Sequence, residues 1–391
     1  MKKKHQKHTQ LARPNYGQFA RNEWAIIGSP CGNIQQLAYD LTRALSDQYK
    51  VAYVDADHQG ADEEAAVGRT TKSAMAHGAT MEYTDKITFH RFDQKATLGL
   101  HQYRVHFNDQ DIVLVNGNHF LAKQQIVVVD PRKEKSLQKK LDRLTDVQLI
   151  LLEEGVAALP DFLRQHLAEE EVESIPVHSI QDRPAIIAFL RQQMAAALPP
   201  LTGLVLAGGK SQRMGRDKGQ INYHGKEQRA HIFDQLNQLC DSSHMSCRPE
   251  QAAQMLMEFP VIADTFSGLG PLGAILSAFR QMPNRAWLVV ACDLPLLDAD
   301  TMQYLIDHRD PSKMATAFNS PVNKFPEPLI AIWEPRSYPI LLQFLAQGYS
   351  CPRKVLINSD VKLIDAPHPK ALMNVNSPED YEEVMELLNE D

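Results

Sequence analysis

The sequence predicts an α/β protein of two doubly wound domains, each a largely parallel sheet with helices on both faces. Three observations carry that expectation. Short apolar runs rich in Val, Ile and Leu recur along the chain, segments of helical spacing lie between them, and the pattern restarts once, after Ala195-Ala-Ala-Leu-Pro-Pro-Leu. Adjacent prolines cannot continue a helix, so the chain is expected to cross between domains there, giving boundaries of 21–197 and 198–391. A length of 391 residues also exceeds what one core ordinarily serves.

In the first half, Trp24-Ala-Ile-Ile reads as a buried strand ending at Gly28. From Ile34, apolar residues at Leu37, Ala38, Leu41, Ala44 and Leu45 repeat with helical spacing. Strands are then expected at Val51–Asp55, Asp111–Val115, Gln125–Val129 and Val147–Leu152. Their β-branched runs are apolar on both faces, as in a parallel sheet covered by helices. An amphipathic stretch from Pro184 to Met194 closes the half. The second half repeats the scheme with strands at Leu204–Leu206, Trp287–Val290 and Leu329–Trp333. Its last helix has a legible start, with Ser377 as N-cap, Pro378 in the first turn and Asp380 three residues after the cap.

Composition narrows the function classes. With 43% hydrophobic and 23% charged residues the chain is globular, and no apolar run approaches the ~18–20 residues of a membrane span. A net charge of −7 argues against a dedicated nucleic-acid binder. The basic start, Met1 to His8, reads as a solvated arm with no apolar signal region after it. The five cysteines are odd in number and form no Cys-x-x-Cys pair, which fits reduced thiols in a cytoplasmic protein. No histidines stand in a His-Glu-x-x-His spacing.

The chemistry concentrates in the second half. Directly after the strand ending at Leu206 comes Ala207-Gly-Gly-Lys-Ser-Gln-Arg-Met-Gly-Arg-Asp-Lys218. Paired glycines let backbone amides approach phosphate oxygens, and Lys210, Arg213, Arg216 and Lys218 can supply positive charge. Asp293 follows the strand Trp287–Val290, at the carboxyl edge where open α/β sheets place ligands. A hard carboxylate there suits Mg²⁺, though the residue also reads as a turn former before Pro295. Gly268-Leu-Gly-Pro-Leu-Gly reads as a tight turn into a helix beginning near Pro271. Alternation on a short strand would point Asn374 and Asn376 to one face.

The run Leu206 to Lys218 resembles the signature of the nucleotidyltransferase superfamily, in the form used by the MobA-like molybdenum cofactor guanylyltransferases. Three later segments follow in that family's order: Asp264 with Gly268–Ala274, Cys292-Asp-Leu-Pro295, and Asn374-Val-Asn-Ser-Pro-Glu-Asp380. The resemblance covers about residues 201–391 and implies a Rossmann-like fold there. It implies nucleotide contacts from Leu206, Ala207, Gly208, Gly209, Lys218, Asp264, Gly270, Pro271 and Asp293. Arg213, Lys218 and Asp293 would act in catalysis, with Mg²⁺ on Asp293. Asn374 and Asn376 would lie near the metal or the acceptor. The implied reaction transfers GMP from GTP to the terminal phosphate of molybdopterin and releases pyrophosphate. Molybdoenzymes or other cofactor-biosynthesis proteins would be its protein partners.

Two departures from the family pattern stand out. Ala274 replaces a glycine in the helix turn, and Pro326-Glu-Pro-Leu329 stands where His-Pro-Leu is common. Glu327 would bring negative charge toward a negative acceptor; Arg353 and Lys354 are the basic residues placed to offset it. The alternatives are a relative using CTP or a sugar-phosphate acceptor, and a carrier or scaffold protein. Gly208-Gly209 favours GTP, because cytidylyltransferase relatives usually carry alanine first, and Lys218 with Asp293 argues against a scaffold.

The first half is similar in layout to MobB-like partner proteins, small GTPase-like domains sometimes fused to the transferase. Its loop, Gly28-Ser-Pro-Cys-Gly-Asn-Ile-Gln35, departs from Gly-x-x-x-x-Gly-Lys-Ser/Thr. The glycines are one residue too close, Asn33 stands for the lysine and Ile34 for the hydroxyl. A degenerate P-loop NTPase-like domain without GTP hydrolysis is therefore expected. Asp55, Asp57 and His58 form the other polar cluster at a strand's carboxyl end.

Overall fold

The computed structural model describes residues 19–56, 73–167, 173–208 and 218–390. Two compact units emerge, one holding Arg21–Gln192 and the other Gln193–Asp391. The division falls inside the helix Arg183–Ala196, a few residues ahead of the proline pair that ends it.

The first unit contains β1 (Asn22–Ile27), β2 (Val51–Val54), β3 (Met81–Asp85), β4 (His90–Gln94), β5 (Ile112–Asn116), β6 (Gln124–Val129), β7 (Val147–Leu152) and β8 (Val177–Ser179). Six of these form a sheet in the order β2-β5-β1-β6-β7-β8, and every pairing is parallel. The five strands read from apolar runs are all present. Strand β8 and the antiparallel hairpin β3-β4 are additions. The helix Cys31–Leu45 buries Ile34, Leu37, Ala38, Leu41 and Leu45, the stripe its spacing predicts.

The second unit contains β9 (Leu201–Leu206), β10 (Ser242–Cys247), β11 (Val261–Ala263), β12 (Ala286–Ala291), β13 (Ala315–Asn319), β14 (Pro326–Trp333) and β15 (Val361–Ile364). Its sheet runs β11-β10-β9-β12-β14-β13-β15. Strands β9 to β12 are mutually parallel, whereas β14 lies antiparallel to both β12 and β13, so the sheet is mixed. Leu288 and Val290 of β12 join one apolar core, and Trp287 and Val289 join another. Alternate residues thus serve opposite faces, and both faces are covered.

This topology positions the site. The connection leaving β9 runs to β10 on one side while that leaving β12 runs to β13 on the other, so the strand order switches between β9 and β12, the point where open α/β sheets place ligands at the carboxyl ends. Among the described residues, no helix is long and apolar enough to cross a membrane.

Candidate nucleotide site

Register fixes which loops meet. Leu206 pairs with Ala291 on one side and Ser246 on the other, and Cys247 pairs with Ala263. Parallel neighbours lie about 4.8 Å apart. Gly208, Asp264 and Asp293, each within two residues of these pairs, therefore share one edge of the sheet. Gly208 is held close: a Cβ added there would meet the Arg248 backbone nitrogen at 3.2 Å. Ala207 donates its amide to the Ser246 carbonyl.

Asp293 lies just beyond β12, with its side chain 22% exposed. Its Oδ1 is buried and has no hydrogen-bond partner among the described residues. Burial pushes its carboxyl above the ordinary carboxylate range; Lys218 opposes that shift and Glu327 adds to it. Lys218, which opens the short helix Lys218–Gln220, places Nζ 3.6 Å from Asp293 Oδ2 and donates to Asn376 Oδ1 at 2.8 Å. The Val375 amide donates to the Asp293 carbonyl at 2.9 Å. Three segments distant in sequence thus meet around Asp293, Lys218 at its carboxylate and Val375 at its main-chain carbonyl.

Asn374 and Asn376 do not lie on a strand, contrary to the sequence expectation. The segment follows a 3₁₀ turn at Pro369–Leu372, forms no ladder, and keeps Val375 buried between two exposed asparagines. It is pinned by the Asp293 contact and by the next helix. The Asn376 and Ser377 amides both donate to Asp380 Oδ2, at 2.7 and 2.9 Å, and the Asp380 amide donates to Ser377 Oγ at 3.2 Å. That reciprocal cap is the one written in Ser377-Pro-Glu-Asp.

Asp264 accepts from Ser246 Oγ at 2.9 Å. Burial raises its carboxyl, with Ser246 working against the shift and Glu250 with it. Gly270 has φ +57° and ψ −138° and precedes the helix Pro271–Gln281, whose first turn starts where the motif predicted. Gly273 packs against the preceding turn, since a Cβ there would meet the Phe266 carbonyl oxygen at 2.3 Å. Ala274 is buried in the helix interior without a special backbone angle.

Arg353 and Lys354 open the helix Pro352–Ile357. Arg353 is not left to solvent: Nη2 binds Glu327 Oε2 at 2.8 Å and Nε donates to the Pro326 carbonyl at 3.1 Å. Lys354 is exposed. Gly209 and Arg213, with Lys210 and Arg216, lie outside the described residues. His224 and Gln228 contact the Pro295 and Leu294 carbonyls and brace the Asp293 loop, and no motif in the sequence marks them or Ser246. Their only signal is proximity in the fold.

A MobA-like NTP transferase domain model matches residues 203–362. A molybdenum cofactor guanylyltransferase of Pseudomonas putida strain KT2440 is 34% identical over 194 residues, 48% of this chain and 98% of that protein. The chain belongs to the MobA-like nucleotidyltransferase family. A molybdenum cofactor biosynthesis bifunctional protein of Synechocystis is 36% identical over 186 residues, 47% of this chain. The match spans about half, 54%, of that relative's length. The solved structure of molybdopterin-guanine dinucleotide biosynthesis protein A from Archaeoglobus fulgidus is 21% identical, with a TM-score of 0.43, covering 49% of this chain and 100% of that one.

Outside the MobA-like domain, the loop after β1 is tied by its own unit. Gly28 has φ +103°, and a Cβ there would meet the Val128 carbonyl oxygen at 2.2 Å. Ser29 Oγ donates to Asp130 at 3.0 Å, and Arg132 binds both Asp130 and Glu153. Asn33, in the lysine's place, donates to Glu153 at 3.3 Å, while Cys31 Sγ contacts His119 Nε2 at 3.2 Å. Asp55 accepts from Tyr53 and Asn116. Asp57 and His58 lie outside the described residues.

Proposed function

We propose that this chain is a molybdenum cofactor guanylyltransferase, moving GMP from GTP to the terminal phosphate of molybdopterin and releasing pyrophosphate. The observation that carries the reading is the convergence of Lys218, Asp293 and Asn376 at the carboxyl edge of β9 and β12. In this reaction an acceptor phosphate oxygen bonds to the α-phosphorus of GTP, and the bond from that phosphorus to the bridging oxygen breaks. A phosphate monoester with a second pKa near ~6 is mostly dianionic at neutral pH, so no side-chain base is required. The protein's task is positioning and charge neutralisation. Lys218 supplies a cation beside Asp293. The Gly208 segment lets the backbone approach phosphate, and the helix beginning at Pro271 adds the partial positive charge of its N-terminus.

The residues fit a divalent cation. Asp293 Oδ1 is a buried carboxylate oxygen with no hydrogen-bond partner among the described residues. That donor set suits Mg²⁺, which takes one or two carboxylates and completes its shell with water and phosphate oxygens. When bound, Mg²⁺ supplies charge neutralisation at the phosphates. Molybdoenzymes or other cofactor-biosynthesis proteins are the protein partners this reading expects.

A nucleotide panel tested by calorimetry with Mg²⁺ present decides the donor. GTP should bind tightest, and preference for CTP or UTP overturns the reading. For residues 21–197 we propose a non-hydrolysing partner domain, supported by Asn33 and Ser29 being engaged with Glu153 and Asp130. GTP hydrolysis persisting in the full chain carrying Asp293→Ala contradicts this.

A further inference from the structure

Strand β14, the antiparallel neighbour of β12, carries a second carboxylate, Glu327, whose charge acts on Asp293. The antiparallel register runs from Trp287 opposite Trp333 to Val290 opposite Ile330. Beyond that register, Asp293 follows Val290 by three residues in the turn after β12, and Glu327 precedes Ile330 by three, so the two carboxylates lie toward the same end of this strand pair. The electrostatics agree, because the Glu327 charge contributes to the raised Asp293 carboxyl. Glu327 is 9% exposed, so its charge is only weakly screened by water. Alone it would repel any phosphate brought to Asp293.

It does not stand alone. The Arg353 guanidinium is fixed at two points, by Glu327 Oε2 and by the Pro326 carbonyl. Two contacts from Nη2 and Nε set the plane of the fork, and Nη1 makes no hydrogen bond to a described residue. The helix Pro352–Ile357 is anchored beneath by Pro352, Val355 and Leu356, all buried, so the backbone that carries Arg353 is seated too. Lys218 stands beside Asp293 and Arg353 pairs with Glu327, and each of these cations is held by a second side chain, Asn376 for Lys218 and Glu327 for Arg353.

We propose that Glu327 is a positioning residue that clamps Arg353 on the acceptor side of the site, so that the remaining Nη1 edge receives the anionic acceptor. This rests on the guanylyltransferase reading and deepens it: the acceptor phosphate meets a pre-oriented guanidinium rather than a mobile one. Lys354, one residue further and about 100° around the helix, is exposed and does not share the clamp.

The test is steady-state transfer by the full chain with saturating GTP, Mg²⁺ and varied molybdopterin. Glu327→Gln keeps the shape and removes the charge. It should raise the acceptor KM about tenfold, the weight of one charge-assisted contact, with kcat and GTP affinity little changed. Arg353→Lys, which keeps charge but loses the fork, should do the same and carries the test if Glu327→Gln folds poorly by thermal melt. Adding Glu327→Gln to Arg353→Gln should cost nothing further. An unmoved acceptor KM, or an equal loss of kcat and GTP affinity, overturns the clamp. If the wild-type chain transfers no GMP, the functional reading fails and the proposal falls with it.

Discussion

Gly273 shows how a single close approach reverses an ordinary rule. Replacing glycine by alanine inside a helix usually adds about 1 kcal/mol. Here the new Cβ would meet the Phe266 carbonyl oxygen at 2.3 Å, so Gly273→Ala should cost about 1–3 kcal/mol, seen as a lower Tm. An unchanged or higher Tm would contradict the contact. His231 makes a second residue-scale prediction. It stacks on His224 at 4.0 Å; burial, His224 and Lys226 hold its pKa down to about 4 from the usual 6.5. The folded chain keeps His231 neutral where the unfolded chain takes a proton. Its contribution to stability is therefore complete above pH 6.5 and drains as the pH falls toward 4. Denaturant curves at pH 7 and 4.5 should converge for His231→Gln more than for wild type. Equal acid sensitivity in the two proteins would refute this.

Among the elements, the start of the helix Pro378–Glu390 has the clearest link to the site. Its cap holds the Asn376 amide through Asp380, and Asn376 in turn holds Lys218. Ser377→Ala should cost about 1 kcal/mol of stability. Asp380→Ala should additionally lower kcat/KM for transfer by about tenfold, through loosened positioning. Equal kcat/KM in Asp380→Ala and wild type would mean the cap serves the helix alone. This cap was legible in the sequence because capping is local chemistry, as was the glycine turn before Pro271. Strands with continuous Val, Ile and Leu runs were legible for the same reason. Strand β10, Ser-Ser-His-Met-Ser-Cys, was not: it buries Ser243 and Ser246, and its composition carries no apolar period. Asn374 and Asn376 are exposed on either side of buried Val375, yet without a strand, because the Asp293 carbonyl holds the Val375 amide and Asp380 holds the Asn376 amide instead. The Arg353–Glu327 bond joins a helix to a strand, and nothing in local spacing announces it.

At the scale of the whole chain, the two units differ in what their sheet edges offer. The second gathers a buried carboxylate acceptor, a lysine and glycine-lined backbone around β9; the loop after β1 in the first has its polar groups bound by Asp130, Glu153 and His119. The MobA-like domain was legible in the second half because its motifs are contiguous loops, each at a strand's end. What the sequence could not supply was their mutual geometry, which depends on sheet order. Both cores of the second unit are drawn from its own residues, so a chain lacking residues 1–195 should fold and retain GMP transfer. Loss of transfer by a truncated chain with a cooperative melt would assign the first unit a part in the chemistry. The most direct test follows the label from α-³²P GTP into a molybdopterin adduct with Mg²⁺, comparing the full chain with Asp293→Asn. Labelled guanine dinucleotide is expected from wild type and none above background from the variant, with melting curves alike; equal labelling by both would strip Asp293 of its role in the transfer.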